Sequence, residues 1–368
     1  MLYLNHAGTS WPRLPTVLAA QREAHDSPPD DWPRRLESAR SEVAAFLGIP
    51  EPSRLLLTPG CTSALAVALG DLPWTPGDRI VTSGLEHHAL ARPIRGGLER
   101  LGVRLDVAPY APGVPIDLGF VEARLRAGRV RAVACTAASN VTGERLPVGE
   151  LVALAHDHGA LAVIDAAQTA GLVVPLAAAP GVDVLAFAGH KALLGPQGIG
   201  GLYVAPGVEL ACPAASCDLG PTKGPVRSPF PSYCDVGSVN LAGAAGLAAG
   251  VRWLREHGEA ARARARSAAE RLLAGLLDMS GVTVYGGRNA ERTFTVSFTA
   301  EQLAPLEIER RLDREHGIAV RAGHHCAPRA HETIGTAERG TLRVSFGHDS
   351  AADDADAILS ALRALLYE

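Results

Sequence analysis

The chain has 368 residues, 47% hydrophobic and 20% charged, with a formal net charge of −4. That length suits one large domain with a smaller companion, and the near-balanced charge provides no field that would draw the chain to nucleic acid or anionic lipid. Met1-Leu-Tyr-Leu-Asn-His6 is not a basic segment leading into an apolar core, no apolar run approaches a membrane span, and the six cysteines form no regular framework; the expected setting is the cytoplasm, with every thiol free.

Residues 1–32, rich in Pro, Trp and Asp with little periodicity, read as an extended arm belonging to the small-domain region. From about Pro33 the spacing of Leu36, Ala39, Val43, Phe46 and Leu47 predicts a helix stopped by Gly48. Arg54–Thr58 is a short strand, followed by Pro-Gly-Cys-Thr-Ser and an apolar helix to about Gly70, an order that makes an anion site of the helix start. Strands at 79–82, 103–108, 131–137, 161–165, 184–187 and 201–204 then alternate with helices at 88–101, 118–127 and 149–158. Such alternation implies a mostly parallel sheet covered on both faces, with ligands at the carboxyl ends of its strands. Residues 205–238 carry six prolines and no clear period, as a lid or subunit contact would. Two helices, 240–255 and 258–278, lead into strands at 282–285, 292–299, 318–321 and 341–346, a helix at 305–316, and a last helix capped by Ser350 with Asp353 three residues on. The expected division is thus the arm, a large α/β ligand-binding domain over 33–240, and a small α+β domain over 241–368.

Lys191 stands in a turn between two buried strands with Gly189, Gly195 and Gly198 around it. An ordinary loop lysine is solvated, but an amine enclosed where the backbone comes close can lose its proton and attack a carbonyl. That points to a Schiff-base lysine holding pyridoxal phosphate. Asp165, ending the run Leu161-Ala-Val-Ile, is either a helix cap or the partner of a pyridinium nitrogen. In Glu86-His87-His88 one histidine is expected to stack on the cofactor and carry protons, the alternative being a structural role. Cys135 reads as a core residue, whereas Cys326 sits among Arg321, His324 and His325, where positive charge favours a thiolate nucleophile. Zinc held by His324, His325 and Cys326 is its rival, although no second cluster completes a site unless Cys212, Cys217 and Cys234 are brought across; no metal is expected. Arg343, within a strand pattern, wants a carboxylate, either a structural one or a substrate's.

Together, Tyr3-Leu-Asn-His-Ala-Gly-Thr-Ser-Trp-Pro12, Thr58-Pro-Gly-Cys-Thr62, Glu86-His-His-Ala89, Ser139-Asn-Val-Thr-Gly143, Val163-Ile-Asp-Ala-Ala-Gln168, Gly189-His-Lys191 and Arg321-Ala-Gly-His-His-Cys-Ala-Pro328 resemble the class V aminotransferase-fold enzymes, specifically the cysteine desulfurase and selenocysteine lyase group. The resemblance runs nearly end to end. It implies the fold type I architecture, Lys191 as the cofactor-bound lysine, Asp165 on the pyridine nitrogen, Gln168 on the phenolic oxygen and His87 on the ring. Cys61, Thr62 and His190 would hold the phosphate, with Ser238 of a second subunit. Asn140, Arg321 and Arg343 would face the substrate, and Cys326 would take its sulfur. The implied protein is a homodimeric cysteine desulfurase making alanine and a persulfide from L-cysteine, with a protein sulfur acceptor as a further partner. Another C–S or C–Se lyase, a class V aminotransferase of a specialised pathway, or a cofactor-bearing carrier without turnover are the alternatives. Three positions depart from the family pattern: Ala188 replaces a phosphate-contacting serine, Ala214–Thr222 lacks the usual Gly-Gly pair, and Asn5-His6 replaces Asp-Asn.

Overall fold

A computed structural model describes residues 1–173, 181–210 and 239–367. Ser238, Cys212, Cys217 and Cys234, with most of the 205–238 segment, lie outside the described residues.

In chain order the elements are β1 (Leu2–Tyr3), α1 (Pro15–Asp26), α2 (Trp32–Leu47), β2 (Leu55–Thr58), α3 (Cys61–Asp71), β3 (Arg79–Ser83), α4 (His88–Gly96), β4 (Arg104–Ala108), α5 (Leu118–Arg126), β5 (Val130–Thr136), α6 (Val148–Asp157), β6 (Leu161–Asp165), β7 (Val184–Ala188) and β8 (Gly200–Val204). There follow α7 (Leu241–Leu277), β9 (Val282–Tyr285), β10 (Thr295–Ala300), α8 (Pro305–His316), β11 (Ile318–Ala319), β12 (Arg321–Gly323), α9 (Pro328–Thr333), β13 (Thr341–Ser345) and α10 (Ala352–Tyr367).

Seven strands make one sheet in the order β2-β8-β7-β6-β5-β3-β4. Neighbours are parallel except where β8 runs against β2 and β7. The expected mixed, mostly parallel sheet is therefore present, and β2, β3, β5, β6 and β7 all end at the same edge. Every residue of β7 and β8 is buried, as unbroken apolar runs between helical layers require. The second sheet is antiparallel, β12-β13-β10-β9, and β1 pairs in parallel with β11, which ties the N-terminus to that half of the molecule.

Three expectations about elements need correction. The arm is not extended throughout, because it contains α1. That helix buries only Val17 and Ala24, so its sequence carries almost no apolar period. The two helices expected around residue 257 are one helix of 37 residues, α7. Gly258 does not interrupt it; the glycine is buried inside the helix against Leu254 and the end of the Arg262 side chain. The Ser350 hydroxyl does not cap α10 as expected, since it accepts from the Gly347 N–H, while Asp354, not Asp353, accepts from the Ala351 N–H. The length of α7 has a structural use. Its first half contributes Ala244, Leu247, Val251 and Leu254 to the core under the large sheet, and its second half gives Ala265, Ala269, Leu272 and Leu276 to the core of the C-terminal sheet.

Candidate active site

The shared edge of the large sheet opens into a cavity of about 700 Å³ lined by Cys61, Thr62, His87, Asn140, Asp165, Ala188, His190, Lys191, Arg321, His325, Cys326 and Arg343. The fold thus gathers residues more than 250 positions apart in the chain, through turns that follow five different strands.

Lys191 lies in the turn after β7, which is closed by the Gly195 N–H on the Gly189 carbonyl at 2.8 Å. The N-terminal arm braces this turn from outside: Ser10 Oγ donates to the Lys191 carbonyl and the Arg13 guanidinium to that of Gly195, at 2.6 and 2.7 Å. Across it packs Gly171, with φ of +95° and placed so that a β-carbon there would lie 2.4 Å from the Ala192 carbonyl oxygen, leaving no room for a side chain. Burial lowers the Lys191 pKa, partly offset by attraction to Asp165. The amine is therefore easier to deprotonate than a surface lysine.

Asp165 ends β6. Its Oδ1 accepts from the Cys61 thiol at 3.2 Å and from the Ala167 N–H at 2.9 Å, and among the described residues no protein group donates to Oδ2. Burial, and next the Asp165 charge, push the Cys61 thiol well up, so it stays protonated and acts as a donor. Its side chain is thereby committed to the carboxylate. What Cys61 can offer a phosphate is its backbone N–H, at the start of α3. That helix has no side-chain cap, and its first N–H groups lie at the cavity with Thr62 and Ser63 beside them.

His87 caps α4 by accepting the Ala89 N–H on Nδ1 at 3.0 Å. Nδ1 being an acceptor puts the proton of the neutral ring on Nε2. Burial, then the Lys191 charge, lowers its pKa to about 4, and burial likewise brings His190 to about 4, with its Nδ1 3.0 Å from Thr9 Oγ1. Gln168 borders a neighbouring cleft that also touches Lys191, and its amide donates to the Ala7 carbonyl at 3.0 Å.

On the far side, Arg343 on β13 is 2% exposed, donating to the Asn140 carbonyl at 3.1 Å and to Asn5 Oδ1 at 2.7 Å, with Nε left unpartnered. No acidic side chain pairs with it among the described residues, which removes the structural-carboxylate alternative there. Arg321 pairs opposite it in strand register and is exposed. The Asn140 amide donates to the His325 carbonyl at 2.8 Å, fixing the turn that carries Cys326. His325 and Cys326 both hold positive φ, 50° and 58°, a conformation non-glycine residues rarely adopt. The Cys326 carbonyl accepts from the His88 N–H at 2.8 Å, and its side chain is exposed. His324 turns away to the Ala337 carbonyl and His325 to Thr341, so the zinc set considered for them does not assemble.

Two residues important here were not singled out from sequence. Glu86 is 1% exposed and takes hydrogen bonds from the Ser83 hydroxyl and the Thr136 N–H, locking the ends of β3 and β5 together. Burial raises its pKa to about 8. Its place directly before His87, at a strand end, was the available signal. Asn5 was noticed only as a departure, and nothing local in the chain shows that it meets Arg343.

An amine made reactive by burial, facing a carboxylate with one oxygen left open, belongs to an enzyme that works through a carbonyl-bearing cofactor. Residues 19–358 match the family described as Aminotransferase class-V, and the chain belongs to it, as a pyridoxal-phosphate-dependent enzyme of the group that contains the cysteine desulfurases. A probable cysteine desulfurase of Pseudomonas aeruginosa is 37% identical over 340 residues, spanning 89% of this chain and 82% of that protein. One from Mycolicibacterium paratuberculosis is 34% identical over 89% of this chain, which spans 48% of that longer protein. A cysteine desulfurase structure from Thermococcus onnurineus superposes with a TM-score of 0.92 at 28% identity, over 99% of this chain and 94% of that one. The residues present fit the cofactor: an open Asp165 oxygen, a deprotonatable amine and an uncapped helix start face one cavity. Among the described residues no helix is long and apolar enough to cross a membrane.

Proposed function

We propose that this chain removes sulfur from L-cysteine, releasing L-alanine and leaving a persulfide on Cys326. The observation that carries the reading is that Cys326, exposed on a left-handed turn, lines the same cavity as Lys191 and the guanidinium of Arg343, which has no acidic partner among the described residues.

Pyridoxal phosphate bound by Lys191 supplies an electron sink for bond breaking at the substrate α-carbon. Thr62, His190 and the N–H groups at the start of α3 would hold its phosphate, Asp165 its ring nitrogen, His87 its ring face and Gln168 its phenolic oxygen; Ser238 of a second subunit would complete the phosphate site in a homodimer. Arg343 takes the substrate carboxylate in a bidentate pair, with Arg321 and Asn140 beside it. Lys191, once free, accepts the α-proton and can return it. Cys326 Sγ attacks the substrate sulfur: an S–S bond forms as the C–S bond breaks, and Lys191 or the His87 Nε2–H supplies the proton that completes alanine. A sulfur acceptor, expected to be a protein, then discharges Cys326. A reducing compartment, the cytoplasm, suits this chemistry, and the described cysteines 61, 135 and 326 are all free.

The test is incubation of purified, cofactor-loaded protein with cysteine and a reductant. Sulfide and alanine should appear in equal amounts in wild type and be absent with Lys191→Ala; pyruvate and ammonia in place of alanine would instead mark a β-lyase.

A further inference from the structure

We propose that His6, His348 and Asp349 form a binding site for one divalent first-row transition ion, zinc by preference. The site lies where the N-terminal arm meets the loop after β13, and it stands independently of the desulfurase reading. One ligand atom from each residue, two imidazole nitrogens and a carboxylate oxygen, falls within 4.8 Å of the others. His6 Nε2 is 3.2 Å and His348 Nδ1 3.8 Å from Asp349 Oδ1. Ligands about 2.0–2.2 Å from a tetrahedral ion stand roughly 3.4 Å apart, so His6 and Asp349 already stand near ligand spacing and an inward movement of His348 would close the set on an ion.

A second observation points the same way. The side chains of His6 and His348 are 4% and 6% exposed, yet among the described residues His6 Nδ1 and Nε2 and His348 Nδ1 find no hydrogen-bond partner beyond the contacts with Asp349. Buried imidazole nitrogens ordinarily find one, and an ion would satisfy Nε2 of the first and Nδ1 of the second. The rings are also held in place. Tyr3 packs edge-on to His6 with centroids 5.1 Å apart, and Trp253 stands at 90° to His348 at 5.8 Å. His6 fits only because residue 347 is glycine, since a β-carbon there would lie 2.0 Å from His6 Nδ1. Asp349 is 39% exposed and opens the site to solvent, which gives an entry path and leaves room for water as a fourth ligand. Imidazole with carboxylate suits zinc, cobalt and nickel better than magnesium or calcium.

The ion would pin the arm to the end of β13. The neighbours of His6 in the chain are Asn5, which accepts from Arg343, and Ala7, which accepts from Gln168. Occupancy would thereby fix two supports of the catalytic cavity without touching it.

The test is cobalt titration of metal-stripped, cofactor-loaded protein, with equilibrium dialysis and visible spectra. One equivalent of Co²⁺ should bind per chain and be displaced by Zn²⁺, with four- or five-coordinate bands lacking thiolate charge transfer. Asp349→Asn, at a solvent-exposed position, and His348→Gln should each weaken binding at least tenfold, and Zn²⁺ should raise the melting temperature of wild type only. Absence of stoichiometric binding, thiolate bands, or unchanged affinity in Asp349→Asn would overturn the proposal.

Discussion

Glu86 behaves as a protonated acid inside the fold. Its folded pKa, about 8, lies above the ordinary 4.5, so its stabilising effect is complete below about 4.5 and is lost as pH rises through about 8. Glu86→Gln can accept from the Thr136 N–H on its amide oxygen and donate from its NH2 to the Ser83 hydroxyl, without a charge to bury. Its unfolding midpoint in urea should therefore fall less than wild type's between about pH 6 and pH 9, whereas Glu86→Ala should lose about 1–3 kcal/mol at any pH, because the Thr136 N–H and Ser83 hydroxyl lose their partner. The buried histidines act in the opposite sense. His331 falls to about 4 and His325 to about 2, both through burial, so the unfolded chain takes up protons below about 6.5 that the native chain refuses. Cofactor-free protein should thus lose stability from about pH 6.5 downward, and a flat urea midpoint between pH 6.5 and pH 4 would contradict the burial of these rings.

Among the elements, the arm does more than its sequence announces. Residues 5, 9 and 10 each hold a member of the cavity wall through a hydrogen bond, while residues 7 and 13 hold Gln168 and the turn that carries Lys191. Asn5→Ala removes one partner of Arg343 and should raise KM for cysteine about tenfold, with kcat and the absorbance of bound cofactor little changed, in line with about 1.5 kcal/mol for a hydrogen bond to a charged group. An unchanged KM would mean that the Asn140 carbonyl alone orients the guanidinium. The core strands were legible because their apolar runs admit one reading: β6 and β7 lie where Asp165 and Lys191 required them. The arm helix α1 was not, since a helix nearly all exposed has no apolar period. Nor could α7 be seen as one piece, because whether a glycine ends a helix depends on what packs against it.

At the scale of the whole molecule, the candidate site was legible as a set of motifs but not as a geometry. Lys191, Asp165 and His87 were picked out by residue type at strand ends, Cys326 by its basic neighbours and Arg343 as a charge inside a strand pattern, and all line one cavity. The Cys61–Asp165 and Asn5–Arg343 contacts join residues 104 and 338 positions apart, and no local pattern encodes such pairings. Subunit pairing is argued from the Asp235–Asn240 segment. Sedimentation should find a dimer that keeps its cofactor on dilution, and a fully loaded, active monomer would refute that. The central claim, sulfur transfer through Cys326, is tested most directly by mass spectrometry of cofactor-loaded protein after cysteine is added without reductant. The account predicts one extra sulfur on the peptide carrying Cys326, and in Cys326→Ser retained cysteine binding with no sulfide released. Extra sulfur only on Cys212, Cys217 or Cys234, or equal cysteine turnover by the serine variant, would contradict it.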